Sequence, residues 1–174
     1  MKMLLVVKQK DIEPDYIEEP NVEYRDRFAA RAVLKDGDGR IAVLFARARG
    51  YYKLPGGGVE QGEDMSLALA RELLEEVGAE AEISGEVGRV EEWRILQDGA
   101  LHQISDAFLM QVTGDIGEPD FTEKELADGF EVYWANDIDE AIQRVSQTLN
   151  HNDVEVRFMS LREKTILEAA KDLM

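Results

Sequence analysis

Apolar positions recur along this chain in runs of strand length and at helical spacing, with polar, glycine-rich breaks between them. A β-like run, LLVV at 4–7, is followed by polar residues with Pro14 and Pro20, so 1–26 reads as a strand or arm leading into a main domain over 27–174. Apolar runs at 28–34 (FAARAVL) and 41–46 (IAVLFA) flank the turn-rich KDGDGR, a hairpin signal. A short strand candidate at 51–54 ends at Pro55. Leu67, Ala70, Leu73, Leu74 and Val77 then recur at helical spacing. Asp64 can cap that helix, because its carboxylate can accept from the free N–H groups of the first turn. Gly78 can end it, because glycine tolerates the left-handed conformation. The apolar face should enter a core, with Glu72, Glu75 and Glu76 forming an acidic edge turned outward. Strands are predicted at 81–83, 89–96 and 102–112, the last two around the turn-like QDGA. Residues 114–119 read as a loop, 129–135 as a strand, and 137–145 and 160–174 as helices. This order predicts a mixed sheet with helices on its faces.

Composition narrows the chemistry. The 174 residues fit one domain, and a hydrophobic content of 44% can fill a core. No apolar run approaches membrane-spanning length. The apolar start at 1–7 is too short for a signal peptide, and no small-residue cleavage site follows. With no cysteine there is no disulfide or thiolate chemistry, which suits a cytoplasmic protein, and two histidines make a histidine-rich zinc site improbable. The net charge of −17 would repel a long phosphate polymer, so RNA and DNA are poor partners and membranes are not indicated. A small phosphorylated ligand fits if a cation bridges it to the acids.

The acids at 63–76 concentrate that possibility. Like charges three and four residues apart repel on a helix, and Glu72, Glu75 and Glu76 stand at those separations. Hard cations such as Mg²⁺ take oxygen ligands, and Glu72 and Glu76, one turn apart, can converge on one ion. Glu75 lies beside both, Glu63 approaches from the loop, and Arg71 can orient a carboxylate by pairing with Glu75 or Glu63. Gly56, Gly57 and Gly58 permit a compact loop that ligands approach closely. A helix carrying two adjacent glutamates is usually a solvated face, so the spacing of the whole set decides.

That spacing runs Gly57, five residues, Glu63, seven residues, Arg71-Glu72-Leu73, one residue, Glu75-Glu76, one residue, Gly78. It resembles the signature of the Nudix hydrolases, G-x5-E-x7-R-E-U-x-E-E-x-G-U with U a bulky aliphatic residue, and every invariant position is present. The preceding LPGG, Glu60 and Gly62 also look MutT-like. Ala79 departs from the final aliphatic position, a change expected to affect packing only.

The resemblance implies an α/β/α sandwich around a mixed sheet, with the signature as loop–helix–loop. It implies Mg²⁺- or Mn²⁺-dependent hydrolysis of a pyrophosphate bond in a small nucleoside diphosphate derivative. The carried-over ligands are Glu72, Glu75, Glu76, Glu63 and the carbonyl of Gly56. One of the signature carboxylates Glu72, Glu75 and Glu76, or a residue outside the signature, would deprotonate water; outside it, Glu125 in FTEKELADGF is the first choice and Glu123 the second. Arg94 and Arg31 are candidates for phosphate contact with Arg47, and Tyr51 for stacking on a base with Tyr52 and Trp93. The stretch 83–101 holds neither the proline nor the tyrosine that marks ADP-ribose pyrophosphatases or diadenosine polyphosphate hydrolases. This favours a nucleoside triphosphate, modified nucleotide or nucleotide sugar as substrate. The alternative is a non-catalytic nucleotide- or ADP-ribose-sensing domain, which intact signature glutamates disfavour. The arm at 1–26 has two uses open to it: packing or swapping in a homodimer, or covering its own sheet.

Overall fold

The computed structural model describes residues 1–174. Seven strands form one mixed sheet: β1 (Met3–Lys8), β2 (Tyr24–Lys35), β3 (Ile41–Ala46), β4 (Tyr51–Lys53), β5 (Ala81–Leu96), β6 (Gly99–Val112) and β7 (Phe130–Ala135). Their spatial order is β1-β5-β6-β2-β3-β4, with β7 paired to β3. Helices α2 (Met65–Val77), α4 (Ile138–Ser146) and α5 (Val154–Lys171) cover the faces, while α1 (Gln9–Ile12) and α3 (Glu123–Asp128) are short. No helix is long and apolar enough to cross a membrane.

Alternation along the central strands explains the layering. Ala30, Ala32, Leu34, Ala42 and Leu44 pack against Leu69, Leu73 and Val77 of α2. The intervening Val33, Ile41 and Val43 pack instead against Val145, Ile166 and Leu167 of α4 and α5. Successive strand side chains point to opposite faces, so a strand covered on both sides reads as one apolar run. That is the α/β/α arrangement. Truncating a fully buried anchor such as Leu73 to alanine would remove about 2–5 kcal/mol.

Several expectations change. The hairpin forecast over 28–46 is reduced to a single β2–β3 pair, Lys35 with Ile41. β2 instead runs parallel to β6 along its whole length, from Tyr24–Ala100 to Lys35–Gln111. β3 swings away to pair with β4 and β7. The strands read separately at 81–83 and 89–96 are one strand, β5, interrupted by bulges near Gly85 and Gly88. Residues 123–128 are helical: Thr122 and Glu125 form a reciprocal capping box that outweighs the short length. α5 begins at Val154, capped by Asp153, six residues before the predicted start at 160. Residues of the 1–26 arm supply β1, which runs parallel to β5.

The divergence of β2 and β3 positions the glycine loop. Where β3 leaves, Ala30 donates to the Gly57 carbonyl (3.0 Å), Ala32 to the Pro55 carbonyl (2.9 Å), and Val59 to the Phe28 carbonyl (3.0 Å). The loop thus fills the free edge of β2 as a substitute strand, with an isolated bridge at Ala29 and Gly58.

Candidate functional site

α2 holds the acids against this loop. Asp64 caps it by accepting from Leu67, and Gly78 ends it at φ +70°. The buried face is Ala68, Leu69, Leu73, Glu76 and Val77, whereas Leu67 and Leu74 are about half exposed. The helix is therefore rotated from the sequence-based face, and its acidic edge does not turn wholly outward. Glu76 is 1% exposed. Its Oε2 accepts from the Gly56 amide (2.7 Å) and its Oε1 from Lys53 Nζ (2.6 Å), which explains the rotation. Ala79 is fully buried in the core beneath α2, so its small side chain serves packing.

Arg71 organises the rest of the cluster. It grips Glu63 through Nε (3.1 Å) and Nη2 (3.0 Å), donates to Glu72 Oε1 (2.8 Å), and reaches the Gly58 carbonyl (3.1 Å). Its Nη1 lies 3.6 Å from Glu75. Both pairings foreseen for Arg71 are therefore made. Arg31 donates to the Gly56 carbonyl. The glycines are sterically required: a Cβ at Gly57 would occupy the position of the Glu72 carboxylate, and one at Gly56, where φ is +122°, would strike the Ala30 carbonyl.

The electrostatics separate these acids. Burial raises the pKa of Glu76, partly offset by Lys53 and the Gly56 amide. Glu75 is also raised, by burial and then by the neighbouring charges of Glu72 and Glu125. The Arg71 contact and the Glu60 amide hold Glu63 low.

One cavity of about 500 Å³ gathers most of the candidates: Gly56, Glu72, Glu76, Glu125, Arg94, Arg31 and Tyr51 all line it. Glu63 and Glu75 do not line it; Glu63 is turned toward Arg71 and Glu75 is 38% exposed. Glu125 is already engaged, accepting from the Thr122 amide (2.9 Å) and hydroxyl (2.8 Å). Burial raises its pKa, but these bonds and Lys53 outweigh that and hold it low. Glu123 is outside the cavity. So are Arg47, paired with Glu131, Tyr52, packed against Phe45, and Trp93, stacked on His102 at 3.7 Å. Tyr51 is 5% exposed and edge-on to Phe130, so its ring serves as wall.

No three His, Cys, Asp or Glu side chains converge into a ready-made metal cage. The donors nevertheless fit a hard divalent cation. The carboxylates of Glu72 and Glu76 and the carbonyl of Gly56 are oxygen ligands lining the same cavity, and each is engaged by a cationic side chain of the protein itself.

Residues that sequence reasoning missed line the same cavity: Arg25, Arg27, Gln103 and Arg162. Arg162, 1% exposed, binds Glu92 (2.8 Å) and Glu163 (2.6 Å), themselves fully buried. The usable signal was period-2 spacing: Arg25, Arg27 and Arg31 share one face of a strand, as do Glu92 and Arg94.

Comparison with known proteins agrees with the fold. The family model described as NUDIX domain matches residues 25–153. The chain is 38% identical over 63 residues to the RNA pyrophosphohydrolase of Roseobacter denitrificans, covering 35% of this chain and 39% of that protein. The curated relatives matched are covered over only 38% to 42% of their own lengths. Among solved structures, a NUDIX hydrolase from Nitrosomonas europaea superposes with TM-score 0.60 at 20% identity, covering 85% of this chain and 90% of that one. A MutT NUDIX hydrolase from Burkholderia pseudomallei gives TM-score 0.52 at 25% identity, covering 80% and 98%. At 20% identity the first likeness concerns the fold alone.

Proposed function

The chain belongs to the Nudix family, and from that premise we propose that it is a divalent-metal-dependent pyrophosphohydrolase acting on a small phosphorylated nucleotide. The observation that carries the reading is that Glu72, Glu76 and Gly56 line one cavity, with the two carboxylates braced by Arg71 and Lys53. The favoured substrates are nucleoside triphosphates, modified nucleotides and nucleotide sugars. The net charge of −17 disfavours a long nucleic acid, whatever the RNA-named relatives act on.

Mg²⁺ or Mn²⁺ would be held by Glu72, Glu76 and the Gly56 carbonyl, with Glu75 and Glu63 available beside them; when bound, it neutralises diphosphate charge and acidifies water. The protein's own residues prepare the reaction. Lys53 opposes the burial of Glu76 and favours its carboxylate form. Arg71 fixes Glu63 and Glu72 in one arrangement. The glycine loop, carrying no side chains, lets a diphosphate approach the main chain. Water attacks phosphorus, the P–O bond of the bridging oxygen breaks, and that oxygen leaves with the second phosphate. Glu125, which lines the same cavity as Glu72 and Glu76, is the proposed acceptor of the water proton. Such positioning and charge stabilisation carry most of phosphoryl-transfer catalysis.

A panel of nucleoside triphosphates, modified triphosphates, ADP-ribose, nucleotide sugars and dinucleoside polyphosphates, each with Mg²⁺ or Mn²⁺, tests the reading by product analysis. Turnover of at least one member is expected. Failure of every member with both ions would move the assignment to a ligand-sensing domain.

A further inference from the structure

The cavity has a second, cationic pole that cleavage of a diphosphate does not require. β2 sets Arg25 beside Leu101 and Arg27 beside Gln103 of β6. β5 sets Arg94 beside Leu101 and Glu92 beside Gln103 from the other side. The register therefore brings three arginines to one face around a single amide. Gln103 is fully buried. Its Oε1 accepts from both Arg27 Nη1 (2.7 Å) and Arg94 Nη2 (2.8 Å), and its Nε2 donates to Glu92 (3.0 Å) and Ser105 (3.0 Å).

A neutral acceptor thus aligns two guanidinium groups and leaves their charge in place. Neither Arg25 nor Arg27 makes an ion pair, and Arg94 Nε faces Glu92 Oε1 only at 3.7 Å, while the other oxygen of that carboxylate is bound by Arg162. Arg94 is 7% exposed and Arg31 5% exposed, and the Nε of each lacks a partner. Burial, and then the charge of Arg162, lower the pKa of both Arg27 and Arg31, the latter to about 10. Gathering like charges with unused donors is costly unless an anion completes the set.

The surroundings indicate which anion. In a chain of net charge −17, eight of the 20 Lys and Arg side chains line this cavity against five of the 37 acids. Only five of its 23 lining residues are hydrophobic. Its two aromatic rings meet edge-on, and Arg49 and Lys53 stand over them, so one face of each ring is already taken by a cation of the protein. Guanidinium pairs match the tetrahedral oxygens of phosphate by bidentate bonding.

We propose that Arg27 and Arg94, aligned by Gln103, and Arg25 beside them form a second phosphate subsite, and that the substrate class is a small molecule carrying a further phosphate group beyond the diphosphate that is cleaved. The substrate half of this inference rests on the hydrolase reading; the subsite itself does not. The shared chemistry is the extra phosphate, whether borne by a nucleotide or by a base-free polyol.

The test uses the full chain in EDTA and measures binding of inorganic tripolyphosphate by calorimetry, so no turnover is involved. Tripolyphosphate should bind, and Arg25→Gln/Arg27→Gln, at two positions without an ion pair, should weaken it by about 10- to 100-fold. The charge-matched control Arg47→Gln/Lys164→Gln, outside the cavity, should bind as the wild type does. Equal affinity in wild type and Arg25→Gln/Arg27→Gln, or equal weakening in the control, would overturn the subsite. Competition by adenosine 5′-tetraphosphate on one arm and a base-free polyol polyphosphate on the other distinguishes the two sources. In turnover with Mg²⁺, the preference for a substrate bearing the extra phosphate over its counterpart lacking it should collapse in Arg25→Gln/Arg27→Gln. An unchanged preference would overturn the substrate class. Loss of tripolyphosphate binding in the variant, with a wild type inert on every substrate, would sustain the subsite and refute the hydrolase reading instead.

Discussion

Gly57→Ala is expected to disable the site while sparing the fold. The added Cβ would fall on the Glu72 carboxylate, the far end of a flexible side chain that can rotate away. Rotation breaks the 2.8 Å bond to Arg71, whose side chain is 28% exposed, so solvent screening limits the loss to about 0.5–1 kcal/mol. Reduced freedom of the unfolded chain returns about 0.4–1 kcal/mol, leaving a net change near zero. The catalytic effect is much larger, because misplacing a positioned group by about 1 Å costs about 100-fold, or about 2.7 kcal/mol of barrier. Gly56→Ala should behave oppositely: its φ of +122° and its contact with the Ala30 carbonyl put strain of about 1–3 kcal/mol into the backbone before any effect on rate. Urea unfolding and kcat/KM with Mg²⁺, measured on both variants, separate the two cases. Full activity in Gly57→Ala, or a stability loss as large as its activity loss, would refute the reasoning.

Further outcomes follow from the buried and surface charges. Arg162→Met should cost about 3–5 kcal/mol in urea unfolding, because it strands Glu92 and Glu163, both fully buried; a change below about 1 kcal/mol would show that the network does not need its cation. Glu140 is held at about 2 by Tyr133, then Asn136 and Arg144. A depressed carboxylate stabilises the fold above its unfolded pKa of about 4.3 and loses that contribution as pH falls toward its folded value. The Tm difference between wild type and Glu140→Gln should therefore be constant at neutral pH and shrink between about pH 4.5 and 2; a difference that grew on acidification would contradict the assignment.

The elements most legible in the sequence were those with local punctuation. α2 is bounded by Asp64 and Gly78 because both ends are satisfied by their own cap chemistry. Its rotation was not legible, since Leu67 and Leu74 sit at core spacing yet are exposed. Long-range demands decide there: Glu76 must meet Lys53 and the Gly56 amide, and no periodicity encodes that. Likewise KDGDGR fixed a turn, but the extended parallel pairing of β2 with β6 drew β2 away from the hairpin. The α3 capping box, Thr122 to Glu125, is a local signal present in the sequence. In the candidate site, spacing pointed to Gly56, Glu72 and Glu76, which line the cavity, and to Glu63 and Glu75, which do not. The arginine wall was not legible, because it depends on the register of three strands around Gln103.

The central claim, cleavage of a pyrophosphate bond at the Glu72–Glu76–Gly56 site with a divalent ion, is tested most directly by one titration. The rate of phosphoanhydride cleavage is followed against free Mg²⁺ for wild type and Glu76→Gln, with circular dichroism to verify folding. The wild-type rate should saturate with Mg²⁺ and vanish in EDTA, and Glu76→Gln should fall by about 100-fold or more at every concentration. A folded Glu76→Gln with wild-type rates, or full wild-type activity in EDTA, would contradict the account.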